Sequence, residues 1–332
     1  MAAPPARIQP SLSAENLADD PLLVKLPRDT EGRPLLAGFP LICTLLKGGM
    51  EAIYYSIDPG NDSEVALRIL PLSIAERDPA LPDRLASEAR TARALWSPHV
   101  VRVLDEGRDQ GLHYVVSEYV PGESVGITMR RLMTRGVSRL PEEQAVLYAA
   151  SAARGLADAH AAGLLHRDIR PDNLIVQRGG KPPVKLAGLG HAKPEGEGFR
   201  VGRQVHFAMG MPGFLAPEQA RDWRAAGPAA DVFALGATLY AMLAGYPPFT
   251  GNSIDAILRD TRDREPDVLP DVSDGVARIL TTCLEKLPAK RYADGARLFE
   301  SLRAVAPGIV EQALEVDETL NLEPAGSFST ST

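Results

Sequence analysis

The sequence has little cysteine and lysine and no long apolar run, and each shortage argues against a class of protein. The two cysteines, Cys43 and Cys283, lie in apolar stretches, which favours buried thiols over a disulfide framework or a metal site. No apolar stretch approaches the roughly 20 residues of a membrane-spanning helix, and no basic-then-apolar leader is visible. We therefore expect a cytoplasmic protein without membrane attachment.

Arginine largely replaces lysine, and acidic residues outnumber the two together. Seven of the 36 basic residues are lysines, and none lies between Lys47 and Lys181. The net charge of -7 gives no support to nucleic-acid binding. The hydrophobic fraction of 45% and the length of 332 residues suit one large or two small globular domains.

The hydrophobic pattern changes near residue 121 and divides the central chain in two. Residues 39–120 alternate in short, turn-punctuated runs typical of strands, interrupted by one predicted helix at 81–95. Residues 121–306 carry longer alanine-rich helical patterns. The longest of these patterns cover 141–162 and 229–243. A small mixed α/β lobe followed by a larger helical lobe is the predicted arrangement.

Both ends of the chain lack this periodicity. Residues 1–38, rich in Pro, Ala, Asp and Ser, are predicted to form a flexible tail with a strand near Leu35. Residues 307–332 are acidic and end in SFSTST, so we predict that they are disordered.

The strongest motif is a ten-residue stretch, Leu165-His166-Arg167-Asp168-Ile169-Arg170-Pro171-Asp172-Asn173-Leu174. A carboxylate five residues before an amide suits phosphoryl transfer, because Asp168 can accept a hydroxyl proton while Asn173 can hold a metal ion. The stretch resembles the catalytic loop of the protein kinase family, specifically the bacterial Ser/Thr kinases. That resemblance implies an α+β bilobal fold with a β-rich N-lobe and a larger α-helical C-lobe, ATP as cofactor, and a protein substrate or partner.

Other segments match the same family in unbroken order from about residue 39 to 306. Family members have an ion pair that joins the Ala-Pro-Glu segment to an arginine near the end of the domain. The resemblance therefore implies that Arg291 contacts Glu218. The matching segments are Gly48-Gly49-Met50, Glu64-Val65-Ala66-Leu67-Arg68, Ser117-Glu118-Tyr119-Val120, Ala216-Pro217-Glu218, Asp231-Val232-Phe233-Ala234-Leu235-Gly236 and Gly245-Tyr246-Pro247-Pro248-Phe249.

The resemblance also implies which residues form the site. The implied catalytic residues are Asp168, Asn173, Arg170, Arg68 and Glu88. The implied nucleotide-binding residues are Leu46, Gly48, Gly49, Ile53, Ala66, Arg68, Glu118, Val120 and Ile175. At the gatekeeper position, the small Ser117 implies an open back pocket.

The metal-binding side of the site departs from the family. Gly188-Leu189-Gly190 replaces the family's Asp-Phe-Gly, so the side chain that coordinates Mg²⁺ is missing. Asn173 remains as a weak neutral ligand for a cation that prefers carboxylates. Leu189 can still fill the apolar slot of the Phe. We expect Mg²⁺ binding to be weak or absent.

The phosphate-binding side departs as well. Arg68 occupies the position where the family has a lysine on the third strand. Arginine keeps the positive charge but not the geometry of the lysine ammonium group. Arg68 can still pair with Glu88, and Lys47 is an alternative source of an ammonium group. Glu51 brings a carboxylate to the loop that covers the phosphates, which is electrostatically unfavourable for a triphosphate.

The activation segment has no residue that phosphorylation could switch. Residues 191–215 contain no Ser, Thr or Tyr, and Met211 replaces a Thr that would contact Asp168. In the family, the arginine at the position of Arg167 binds the activating phosphate. We expect Arg167 to contact backbone or an acid such as Glu195 instead.

Three hypotheses follow from this mixture. The favoured one is a pseudokinase, a signalling or interaction module whose nucleotide binding is weak, Mg²⁺-independent or absent. The alternative is a low-activity Ser/Thr kinase that uses ATP, with Asp168 as base. A third is a structural docking domain whose tails accept phosphate. Candidate acceptors in the tails are Ser11, Ser13, Thr319 and the terminal SFSTST.

Overall fold

A computed structural model describes residue 17 and residues 20–47, 52–70, 75–76, 79–189, 212–222 and 225–315. Within these ranges, a sheet-rich lobe is followed by a helical lobe, which confirms the predicted α+β bilobal architecture. None of the helices in the described ranges combines the length and the apolar character that crossing a membrane requires.

The small lobe is built on a six-stranded antiparallel sheet with strand order β1-β2-β3-β4-β6-β5. Its strands are β1 (Leu35–Leu36), β2 (Phe39–Lys47), β3 (Ala52–Ile57), β4 (Glu64–Leu70), β5 (Val103–Asp109) and β6 (Leu112–Glu118). Helix α1 (Leu81–Arg93) covers one face of the sheet through its apolar stripe. Leu85, Ala89 and Ala92 are buried, as the helical spacing predicted.

The opposite face of this sheet is covered by the segment that leads into β1. Leu23 and Leu36 are fully buried in one apolar cluster with Tyr54 and Leu67. The predicted strand near Leu35 is present as β1. The prediction of a flexible tail up to residue 38 is wrong for residues 20–36, because scattered leucines find a continuous apolar surface only in the folded lobe.

The large lobe is centred on two long, buried helices. Its helices are α2 (Val125–Met133), α3 (Glu142–Ala161), α4 (Pro217–Arg221), α5 (Pro228–Ala244), α6 (Ile254–Asp263), α7 (Asp274–Cys283), α8 (Gly295–Val305) and α9 (Pro307–Leu314). Helix α5 is apolar around almost its whole circumference and is buried accordingly. It ends at Gly245, whose φ of +89° and close approach to the Ser138 carbonyl admit no side chain.

Helix α9 corrects the predicted boundary of the C-terminal tail. Residues 307–314 are helical, and Val310 and Ala313 are buried in the core of the large lobe. Pro307 occupies the first turn, where its missing N–H costs nothing. The prediction of disorder from residue 307 is therefore wrong for 307–314, because this short run is stabilised by packing against other helices.

A small antiparallel sheet lies where the two lobes meet. It contains β7 (Gly122–Ser124), β8 (Leu174–Gln177) and β9 (Val184–Leu186) in the order β7-β8-β9. Val101 N donates to the Leu186 carbonyl at 2.9 Å, and Leu186 N donates to the His99 carbonyl at 2.8 Å. These bonds fix the loop before β5 to β9 and so set the position of one lobe against the other.

Candidate active site

A cavity of about 250 Å³ lies between the lobes and collects most of the predicted site. From the predicted set, Leu46, Ile53, Ala66, Arg68, Glu118, Val120, Asp168, Asn173 and Ile175 all line it. The strands and the link between the lobes provide its upper wall, and the loop before β8 provides its floor. Gly48 and Gly49 lie outside the described residues. The roles assigned to these side chains remain predictions.

The floor of the cavity contains a braced acid. The Asn173 amide Nδ2 donates to the Asp168 carbonyl at 2.6 Å and to Asp168 Oδ2 at 3.1 Å. Arg170 Nε lies 3.7 Å from Asp168 Oδ1, and the Asp168 side chain is only 13% exposed. This arrangement holds a carboxylate in one orientation beside a positive charge at the floor of the cavity.

A second buried acid, Asp231, anchors the loop that carries Asp168. Asp231 accepts hydrogen bonds from His166 N at 2.8 Å and from Arg167 N at 2.7 Å. The His160 Nε2–H also donates to it at 3.0 Å, since the Nδ1 of that ring accepts from Gly295 N. Arg167 has a φ of +63°, a strained conformation that these backbone bonds help to maintain. Sequence reasoning had recognised Asp231 only as part of a motif.

Gly188 lies where the family has its metal-binding Asp. Its φ is +96°, and a Cβ there would lie 3.4 Å from Asn173 Nδ2 and 3.5 Å from His166 Cε1. Leu189 is buried with Leu85 and Ala89, which confirms the predicted packing role. This position of the cavity lining thus has no side-chain oxygen to offer a metal ion.

With Gly188 in place of an aspartate, the cavity floor has fewer oxygen ligands for a magnesium ion. In the described part of the chain, no group of three or more His, Cys, Asp or Glu side chains could hold a metal ion. The Asn173 amide nitrogen donates to Asp168, so Oδ1 is the atom of that amide that can ligate a cation. Asp168 and Asp172 add carboxylates to the cavity lining, while Gly188 adds none.

The Glu88 carboxylate contacts the catalytic loop. Arg167 Nη1 lies 3.3 Å from Glu88 Oε1, so within the described residues an acid contacts this guanidinium, as predicted, and that acid is Glu88. Glu195 itself lies outside them. Arg68, the predicted partner of Glu88, lines the cavity from β4. The contact ties α1 to the loop of Asp168 at the place where family members use a phosphate.

Lys47 does not point an ammonium group at the phosphate side of the cavity. Its Nζ lies 3.0 Å from Asp20 Oδ2, and Tyr54 Oη donates to the same oxygen at 2.7 Å. Burial raises the pKa of Asp20, but the hydrogen bonds from Tyr54, Lys47 and Leu22 N outweigh it and lower the pKa overall. The suggestion that Lys47 replaces the family lysine is therefore wrong.

The link between the lobes contains an ion pair that sequence reasoning missed. Lys185 Nζ contacts Glu118 Oε1 at 2.6 Å, and the Lys185 side chain is 6% exposed. A lysine between Val184 and Leu186, in a chain poor in lysine, was the available signal. Its partner is 67 residues away and could not be read from the local pattern.

The comparisons with known proteins agree with this architecture. A model of the protein kinase domain matches residues 44–301. The chain belongs to the protein kinase family. The ion pair of this family is also present, because Arg291 Nη1 and Nη2 contact the two Glu218 oxygens at 2.7 and 2.8 Å. This confirms the predicted pairing.

Among the similar sequences are named Ser/Thr kinases of Corynebacterium and Mycobacterium species. The kinase domain is 34% identical over 267 residues to the Ser/Thr-protein kinase drp72 of Corynebacterium efficiens, covering 79% of this chain and 49% of that one. It is 32% identical over 266 residues to PknL of Mycobacterium bovis, covering 79% and 64%. It is 31% identical over 267 residues to PknA of Mycobacterium tuberculosis, covering 79% of this chain and 59% of that one. The chain thus spans about half to two thirds of these relatives.

Solved kinase domains share the fold. The crystal structure of the Mycobacterium tuberculosis PknI kinase domain superposes on this chain with a TM-score of 0.62 at 24% sequence identity. The match covers 81% of this chain and 96% of the PknI chain. A cysteine-to-alanine mutant of the same domain gives a TM-score of 0.63. At this identity, the likeness concerns the fold alone.

Proposed function

We propose that this Ser/Thr-protein-kinase-like domain acts as a pseudokinase, a signalling module that binds a purine nucleotide without depending on Mg²⁺ and contacts a protein partner. The observation that carries the proposal is Gly188, which leaves the phosphate end of the cavity without its carboxylate. With Arg68 in place of the family lysine, that end loses a negative charge and retains a positive one. A triphosphate would therefore need a bridging cation less than in family members.

The expected catalytic loss is large. Removing one preorganised electrostatic contact typically lowers a rate by on the order of 10²- to 10³-fold. Gly188 and Arg68 change two such contacts, whose effects do not simply add. We expect phosphoryl transfer roughly four orders of magnitude below that of an intact kinase.

The base-binding part of the cavity supports the nucleotide half of the proposal. Ile53 and Ala66 line it from the small lobe and Ile175 from the large lobe, as two apolar walls that can sandwich a planar ring. Glu118 and Val120 border the same space. Backbone amides and carbonyls at this edge would give a purine directional hydrogen bonds.

A low-activity Ser/Thr kinase is the second candidate, and one observation favours it. Asp168, Asn173 and Arg170 retain a geometry suited to accepting a proton from a substrate hydroxyl. The similar proteins named above as Ser/Thr kinases are consistent with this reading. In that case a protein hydroxyl would be the acceptor.

Binding of a fluorescent ATP analogue, measured with Mg²⁺ and with chelator, separates these readings. We expect the wild-type affinity to be nearly equal in both conditions. Gly188→Asp should make binding tighter with Mg²⁺, because it restores the missing carboxylate. Gly188→Ala is the matched control, since it adds a side chain to the same left-handed backbone, at a cost of about 1–2 kcal/mol, without an oxygen ligand.

Two results would contradict the proposal. Mg²⁺-dependent binding by the wild type, together with autophosphorylation that Asp168→Asn abolishes, would establish the second candidate. No binding of nucleotide in either condition would leave the docking-domain hypothesis.

A further inference from the structure

An ion pair joins the two lobes beside the base-binding part of the cavity. Lys185 belongs to β9 of the large lobe, and Glu118 is the last residue of β6 in the small lobe. Their side chains meet at 2.6 Å with 6% and 27% exposure. Glu118 lines the cavity, whereas Lys185 does not. The pair therefore affects the residues that line the nucleotide site and does not act directly on a bound nucleotide.

The Glu118 carboxylate is held by more than this lysine. Its Oε1 also accepts from Arg102 N at 3.0 Å, while Glu118 N donates to the Arg102 carbonyl at 3.0 Å. Tyr119 N, the next amide, donates to the Glu64 carbonyl at 3.2 Å. The backbone at the start of the link is thus tied to β4, to the loop before β5 and, through Lys185, to β9.

Burial makes the Lys185 position demanding. A lysine ammonium is strongly hydrated, and removing it from water is costly unless a close anion replaces the water. Glu118 supplies that anion at charge-assisted hydrogen-bond distance. The pair therefore fixes Lys185 and Glu118 in one relative position, and with them the strands to which they belong.

We infer that Lys185 is a positioning residue that sets the register of Glu118 and Val120 against a purine and so determines base selectivity. The inference rests on the proposed nucleotide binding. Adenine presents an amino donor at C6 and guanine presents a carbonyl acceptor, so a fixed backbone carbonyl favours one and repels the other. A displaced carbonyl loses that discrimination, because hydrogen bonds weaken steeply with distance and angle.

Four variants test this role. Lys185→Met removes the charge and keeps most of the stem, and Glu118→Gln breaks the pair from the other side with nearly the same shape. Lys185→Arg retains the charge. Lys290→Met is the matched control, since the Lys290 side chain is 62% exposed and lies in the turn after α7.

Each variant of the full chain is titrated with fluorescent ATP and GTP analogues in chelator, and hydrogen exchange is followed at residues 117–121. For Lys185→Met and Glu118→Gln, we expect about tenfold weaker ATP binding, equivalent to about 1.4 kcal/mol. GTP binding should change little, so the ATP-to-GTP preference falls by the same factor. Exchange at 117–121 should accelerate. Lys185→Arg should restore the preference, and Lys290→Met should match the wild type.

A melting temperature measured without nucleotide separates positioning from general stability. Lower melting temperatures with an unchanged ATP-to-GTP preference and unchanged exchange at 117–121 would overturn the inference. A wild type that binds neither nucleotide would refute the proposed function, and the assigned base selectivity would fall with it. Exchange at 117–121 would then show whether Lys185 still fixes this backbone.

Discussion

Acidification from pH 7 to pH 4 is expected to destabilise the domain through His99. This residue is 3% exposed, and its carbonyl is bonded to Leu186 of β9. Burial, with added repulsion from Arg154 on α3 and Lys185 on β9, lowers the pKa of His99 from 6.5 to about 4. The imidazole is thus neutral in the folded protein at pH 7 and resists protonation.

The sign and size of the effect follow from proton linkage. Below pH 6.5 the unfolded chain takes up a proton at His99, whereas the folded protein does so only near pH 4. Unfolding is therefore favoured increasingly as the pH falls through this window. The difference between the two pKa values corresponds to about 3 kcal/mol of unfolding free energy, lost by pH 4.

Urea unfolding at pH 7, 6, 5 and 4 measures this loss in the wild type and in His99→Gln. The variant cannot titrate at this position, and the backbone bond to Leu186 does not need the ring. The difference in unfolding free energy between the two proteins should shift by about 3 kcal/mol across the series, in favour of the variant at low pH. His113→Gln, at a partly buried strand position, should leave most of the acid dependence in place.

Parallel loss of stability by wild type and His99→Gln between pH 6.5 and pH 4 would refute this reasoning. Carboxylates titrate in the same range, so the difference between the two proteins, and not the wild-type curve alone, is the decisive quantity.

Two further predictions concern packing. Glu218→Gln should lower the unfolding free energy by about 3–5 kcal/mol, because the Arg291 guanidinium is fully buried and would lose its anion. A loss below about 1 kcal/mol in urea titration would contradict the importance of this pair. Leu23→Ala should cost about 2–5 kcal/mol, whereas Val24→Ala, at a side chain 59% exposed, should be nearly neutral in the same titration. Equal effects of both substitutions would mean that residues 20–36 do not cover the sheet.

Local pattern located much of this protein correctly. The spacing of Leu85, Ala89 and Ala92 marked the buried face of α1, because helical periodicity is a property of neighbouring residues. The family motifs also indicated the Arg291–Glu218 contact. The clearest result from sequence is Gly188, since no fold can give a glycine the oxygen ligands of an aspartate.

Tertiary structure decided what depends on distant partners. Composition alone made residues 20–36 and 307–314 resemble tails, yet both bury apolar side chains against surfaces that exist only after folding. The same holds for charges. Lys47 forms an ion pair with Asp20, Arg167 with Glu88, and Lys185 with Glu118, and each pair joins separate elements of the chain. Sequence therefore determined which chemical groups the site has. Folding determined which of these groups form ion pairs with one another, because an ion pair depends on a proximity that only the folded chain creates.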